Sequence, residues 1–202
     1  MNDSLTPTQK NIAPNGTETR QENFFGDLVR FAVIAILIVL PIRLFIAQPF
    51  IVSGASMEPT FANGEYLIVD ELTYRLAEPE RGDVIIFRYP RDPSKFFIKR
   101  IVGLPGETIE MDNGGLRIRS GAHPEGLALT EPYTRGAGSA PFTQTLAESE
   151  YFVLGDNRNA SSDSRVWGPL GRELIIGRAF LRVLPVAEAA LFPGAAEPAE
   201  TP

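Results

Sequence analysis

The sequence predicts a mainly β protein, an antiparallel β-sheet domain behind a single N-terminal transmembrane helix. Three observations carry that expectation. Six segments after residue 50 are short, rich in β-branched or aromatic residues, and bounded by Gly, Pro, Asn or Asp. One run, residues 31–42, is apolar on every side. No stretch beyond residue 50 sustains a 3.6-residue period over three turns.

Taken in order, residues 1–23 are rich in Asn, Thr, Pro and charge, and are expected to form a flexible tail. Residues 24–47 are expected to anchor the chain in a membrane. An amphipathic helix lying in the interface would need a polar face, which residues 31–42 lack. Over residues 31–47 the only charge is Arg43, whose aliphatic stem lets its head reach the headgroups. A buried core helix or a cleavable secretory signal would also be apolar. About thirty mostly polar residues precede the run, however, and Ile46-Ala47-Gln48-Pro49 follows it, which favours an uncleaved anchor. Arg20 and Arg30 flank its N-terminal side against Arg43 alone on the other, which favours the tail in the cytoplasm and the domain outside.

Residues 48–185 are expected to form the β-rich domain, with strands at 65–69, 83–89, 96–102, 108–111, 150–154 and 174–184. Residues 71–77 have room for one short helix. Residues 112–147 carry Gly114-Gly115, His123-Pro124-Glu125-Gly126 and Gly136-Ala137-Gly138, and are expected to be an irregular excursion or small flap. Residues 186–202, mostly Ala, Pro and Glu from Ala187 on, are expected to be a disordered tail.

A chain of 202 residues, 44% of them hydrophobic, buries one good core and not several. Its net charge of -6 is largely terminal: Lys10 and Arg20 face Asp3, Glu18, Glu22 and Asp27 at one end, and Glu188, Glu197 and Glu200 stand alone at the other. No basic stripe remains to neutralise phosphates, so nucleic acid is not an expected partner. The absence of cysteine excludes disulfides, thiolate metal sites and thiol catalysis. No metal or other cofactor is expected.

The chemistry rests on Ser56 and Lys99. Along a strand, Phe97, Lys99 and Ile101 share one face, so Lys99 sits among apolar neighbours. Desolvation disfavours its ammonium form and can make it a base near neutral pH. Taken alone, Lys99 and Arg100 would serve equally well as charges guarding an edge strand. Ser56 follows Gly54 and Ala55, which leave room for another backbone, and taken alone could be a turn serine bonded to its own backbone. The single histidine, His123, has no motif around it. Residues 155–168 contain two Asp and two Arg able to pin a loop, with Ser161 available to orient a neutral amine; they do not fit a calcium loop, because Arg158 and Ala160 stand where oxygen ligands belong.

Four motifs, Ser56-Met57-x-Pro59-Thr60, Arg81-Gly82-Asp83-Val84, Phe97-Ile98-Lys99-Arg100-Ile101-Val102-Gly103 and Gly155-Asp156-Asn157-Arg158 with Ser161-x-Asp163-Ser164-Arg165, stand in order behind the apolar run. Together they resemble the bacterial type I signal peptidases, over about residues 30–183. The resemblance implies an antiparallel β-fold with a serine/lysine dyad, which removes signal peptides from exported preproteins after small-x-small sites. It implies Ser56 as nucleophile, Lys99 as general base, Ser161 as the serine orienting the lysine, and Asp163 and Arg165 as a supporting pair. Phe50, Val52, Met57, Phe97 and Ile98 fall where that family lines its pockets for small residues. Gly54 stands where some members carry an oxyanion-hole hydroxyl, and Asn159 where an Asp is common.

The expected partners are signal-peptide-bearing preproteins and the lipid bilayer, with the protein a single-pass monomer of the cytoplasmic membrane and its domain on the outer face. Two rivals remain open at this level: a non-catalytic anchored β-module binding envelope partners, and a Ser/Lys self-cleaving peptidase. Proximity of Ser56 Oγ to Lys99 Nζ separates the module from the dyad.

Overall fold

A computed structural model describes residues 24–45, 47–112, 115–136, 141–195 and 199–201; the tail expected over 1–23 lies outside them. The chain divides into two units, Met1–Ile38 and Val39–Pro202. Helix α1 covers Phe24–Phe45, inside the segment expected to anchor the chain. Over residues 25–39 its large apolar side chains, among them Phe25, Phe31, Ile36 and Leu37, are exposed. Among the described residues no helix is long and apolar enough to cross a membrane.

The second unit is built from strands β1 (Ala47–Ile51), β2 (Tyr66–Asp70), β3 (Val84–Tyr89), β4 (Asp92–Gly103), β5 (Thr108–Asp112), β6 (Gly115–Arg119), β7 (Leu127–Thr130), β8 (Phe142–Thr145), β9 (Glu150–Leu154), β10 (Leu170–Gly171), β11 (Ile175–Leu184), β12 (Ala190–Leu191) and β13 (Ala199–Thr201), with one short helix, α2 (Ser164–Trp167), before β10. One sheet runs β1-β2-β11-β3-β4-β9-β10 with β12 added to β11, and a second runs β13-β7-β6-β5-β8. Every ladder between these strands is antiparallel. All six expected strands form, and the expected helix at 71–77 is a single 3-10 turn, Thr73–Arg75.

Two expectations are corrected. The described residues of 112–147, expected as an irregular excursion or small flap, are not irregular: β6, β7 and β8 join β5 in the second sheet. Leu116 and Ile118 on β6, and Leu127 and Leu129 on β7, alternate inward to a core with Ile109, Met111 and Phe152. The Gly and Pro residues punctuate short strands there and do not abolish them. Residues 186–195 are ordered too: a 3-10 turn, Val186–Glu188, leads into β12, and beyond them β13 pairs with β7.

Strand β3 explains how the sheet carries a site. Val84 and Ile86 enter one core with Met57, Phe61 and Leu67, while Ile85 and Phe87 enter another with Ile101, Tyr151 and Trp167. A strand covered on both faces reads as a continuous apolar run, as Val84-Ile85-Ile86-Phe87 does. Its neighbour β4 has Lys99 opposite Ile85 and Arg100 opposite Val84, so consecutive basic residues leave the strand on opposite faces.

Arg100 has no exposed surface. Its Nε and Nη2 donate to the two Asp156 carboxylate oxygens at 2.9 and 2.7 Å, Nη1 donates to the Gly82 carbonyl at 2.8 Å and to that of Gly194, and the guanidinium lies 3.9 Å from the Tyr133 ring centre. Breaking such a pair strands a buried charge. Arg100→Ala is therefore expected to lower the unfolding free energy by about 3–5 kcal/mol in a denaturant titration of the detergent-solubilised chain. Lys95→Ala, at a surface pair with Asp92, is expected to leave the midpoint unchanged.

Candidate active site

The loop between β1 and β2 presents Ser56. Met57 and Phe61, both without exposed surface, hold it down, and Phe61 N donates to Met57 O at 2.9 Å. At its entry Gly54 takes φ +90°, a conformation side chains disfavour, and donates its N–H to Asn63 Oδ1 at 2.8 Å. Above, Asn157 N–H donates to Ser56 O at 3.0 Å and its Nδ2 to Ala55 O at 3.1 Å. Thr60 Oγ1 donates to Asp156, the same carboxylate that Arg100 grips. The Ser56 loop is thus tied to the core from both ends.

Lys99 enters from the edge of β4, 4% exposed, and its Nζ lies 2.7 Å from Ser56 Oγ and 2.7 Å from the Ile98 carbonyl. The Phe97 ring lies 5.5 Å away. Burial pulls its pKa down to about 8, against the opposing pull of the Asp163 and Asp156 charges. An amine so placed takes a proton from the hydroxyl it touches once it is neutral.

Asp163 lies behind the pair with no exposed surface. Burial works to raise its pKa, but Arg165, donating to both carboxylate oxygens at 2.8 Å, and the Gly155 N–H at 3.1 Å hold it below the usual range. Of the four charges in residues 155–168 only Arg165 and Asp163 pair with each other; Arg158 takes Glu131 at 2.6 Å and Asp156 takes Arg100. Ser161 Oγ is buried without a hydrogen-bond partner, close enough to Asp163 to help hold its charge. It does not bond Lys99 here. Gly155 explains its position, since a Cβ there would meet Ser161 Oγ at 2.2 Å and Ser56 O at 2.5 Å.

A cleft of about 440 Å³ opens over the pair, lined among others by Phe50, Val52, Leu67, Ile86, Phe96 and Ser162. Of the residues expected to line pockets, Phe50, Val52, Phe97 and Ile98 border this cleft, and Met57 is buried in the core with Phe61 and Leu67. His123 and Asn159 are exposed. Sequence reasoning missed the wall residues Leu67, Ile86, Phe96 and Ser162, and the tie through Thr60, Asp156 and Arg100. Only the close packing that Gly155 permits had a signal in the chain, a glycine ahead of a charged loop.

β1 ends its sheet, and β9 pairs with β4 only at Arg100, Ile101 and Gly103. Among the described residues the cleft is therefore flanked by two open strand edges, at 47–51 and 96–99. An extended peptide laid between them would gain main-chain hydrogen bonds.

Residues 25–184 match the family described as signal peptidase, peptidase S26. The chain is 36% identical over 187 residues to a probable signal peptidase I-2 of Synechocystis sp., covering 89% of this chain and 83% of that one. It is 34% identical over 192 residues to a signal peptidase I of Leptolyngbya laminosa, covering 91% and 92%. A solved signal peptidase I from Enterococcus faecalis aligns at 33% identity with a TM-score of 0.43, over 50% of this chain and 97% of that one.

Any acyl transfer begun by Ser56 needs Lys99 without its proton. Its lowered pKa means that below about 8 the amine is charged and idle, and above it is free. The expected kcat/KM rises about tenfold per pH unit below 7 and levels off above about 8; a flat profile from pH 5 to 9 rules the base out.

Proposed function

The chain belongs to the signal peptidase family, peptidase S26, and from that membership we propose how this serine endopeptidase removes signal peptides from preproteins. Neutral Lys99 takes the proton of Ser56, whose Oγ adds to the scissile carbonyl; the Ser56 N–H steadies the oxyanion, with no hydroxyl to assist at Gly54. The protonated amine then gives its proton to the departing amino group, leaving an ester on Ser56. Water activated by the same amine hydrolyses that ester and frees the signal peptide's new carboxylate. The observation that carries this reading is the 2.7 Å contact between a half-buried hydroxyl and an amine kept dry.

Ser161, Asp163 and Arg165 support the pair. The Arg165–Asp163 clamp fixes residues 155–165, and an unpartnered buried Ser161 hydroxyl has bonding capacity left to steer Lys99. Phe50, Val52, Phe97 and Ile98, with Ile86 and Leu67 behind, make a shallow apolar cleft. Such walls admit Ala at the residue before the cut and two residues earlier, and exclude larger side chains by overlap.

We also assign residues 24–47 to a membrane anchor, with residues 1–23 cytoplasmic and the β-domain outside, acting as a monomer. This rests on the all-round apolar run at 31–42, the exposure of the side chains described on α1, and the bias of Arg20 and Arg30 over Arg43. An enzyme held on the bilayer meets membrane-bound precursors at a raised local concentration.

Cleavage of a precursor bearing an Ala-x-Ala site by the detergent-solubilised chain tests the dyad. Ser56→Ala and Lys99→Ala are each expected to reduce turnover by at least about 10³-fold, and processing retained in Lys99→Ala rejects the assignment. Replacing the Ala before the cut by Leu in the precursor is expected to lower kcat/KM by at least about 100-fold; efficient cleavage of that precursor rejects the steric account.

A further inference from the structure

The family match ends at residue 184, yet the chain beyond it returns to the nucleophile loop. After the turn Val186–Glu188, β12 pairs with β11 at Leu181 and Arg182, and Phe192 N donates to Phe180 O at 2.7 Å. The Phe192 ring meets Phe180 edge-on, with the Arg178 guanidinium 4.9 Å from its centre. Pro193 is buried. A Cβ on Gly194 would stand 2.7 Å from Thr60 Cγ2 and 3.0 Å from Phe61 Cε2, so this turn is seated on the residues that follow Ser56.

Two polar routes join it to that loop. Gly194 O accepts from Arg100 Nη1, Arg100 grips Asp156, and Asp156 accepts from Thr60 Oγ1. Separately, Arg182 donates to Glu188 at 2.9 Å and to the Thr60 carbonyl at 2.9 Å, over the Phe61 ring. Without residues 186–195, Arg100 Nη1 loses one acceptor, Arg182 loses one carboxylate, and the outer side of Thr60 and Phe61 opens to water. The loop so loosened is the one that sets Ser56 Oγ 2.7 Å from Lys99 Nζ.

We propose that residues 186–195 form an intramolecular strap, with Gly194 and Glu188 as positioning residues that hold the nucleophile loop in register with Lys99. This rests on the assignment of Ser56 and Lys99 as the dyad. The strap touches no substrate; it acts through Arg100, Arg182 and Thr60. The charged groups facing Lys99 are Asp163 and Asp156, neutralised by Arg165 and Arg100 respectively, and only the second pair touches the strap.

The test uses the full chain in detergent with an Ala-x-Ala precursor, after Ser56→Ala has been shown to be inactive; activity in that control sinks the dyad and not the strap. Three forms are compared with the parent: a chain ending at Pro185, Gly194→Ala, and Gly194→Ala with Thr60→Ser, which removes the methyl that the new Cβ would strike but keeps the hydroxyl for Asp156. Truncation is expected to lower kcat by about 10- to 100-fold with KM within about twofold. It is also expected to move the kcat/KM profile upward in pH as Lys99 is wetted, and a free peptide of residues 186–202 is expected to restore both. Gly194→Ala is expected to show the same signature more weakly, and Thr60→Ser to recover part of it, after correction for Thr60→Ser alone. A lowered unfolding midpoint with kcat and pH profile unchanged in Gly194→Ala overturns the proposal, whether or not the truncated chain folds.

Discussion

Lys99 and Arg100 leave β4 on opposite faces, and the difference in how each is received organises the domain. Arg100 meets four hydrogen bonds and an aromatic ring, so its burial is compensated at nearly every donor. Lys99 meets one hydroxyl and one carbonyl. A guanidinium cannot give up its proton in a protein, whereas an ammonium can. Full compensation therefore makes the first a fixed tie, and incomplete compensation leaves the second able to serve as the proposed base. The two-residue period of a strand is what allows such different environments at adjacent positions.

The burial of Lys99 carries a thermodynamic consequence. Because burial holds the folded pKa of Lys99 at about 8, below the ordinary lysine value of 10.5, the unfolded chain binds the proton more readily between those two values. The dry site opposes folding most below about pH 8, and that opposition fades as pH rises toward 10.5. A compensating rigidity is needed near it, and the nearest is the tie from Arg100 through Asp156 to Thr60, with Asn157 pinning Ala55 and Ser56 from above. The elements that stabilise the loop are thus distinct from the pair expected to react.

What was legible in the chain was what repeats locally or touches in short motifs. The six strands, Ser56 and Lys99 could be read because a β-branched run and an apolar-flanked lysine carry their environment with them. Strands β6 to β8 could not, since each holds only four or five residues and gains its inner face only from the core with Ile109 and Phe152. Arg100 looked like an edge guard beside Lys99. Its acceptors come from residues 82, 156 and 194, and no local pattern announces such separations. Composition misled most at residues 186–195, where Ala and Pro suggested a disordered tail; a buried Pro193 and a Gly194 fitted against Thr60 are determined by the surface they meet and not by their own period.

The size selection proposed for the cleft draws on the same economy of parts. Val52, Leu67 and Ile86 face the opening and also belong to the core that holds Met57 and Phe61. A wall shared with a close-packed core cannot recede for a larger side chain without shifting the loop that bears Ser56. Enlarging the pocket and keeping the hydroxyl 2.7 Å from the amine are therefore competing demands on one set of side chains. Under that proposal the enzyme discriminates by size near the cut, while the open edges of β1 and β4 offer main-chain hydrogen bonds to an extended backbone of any sequence.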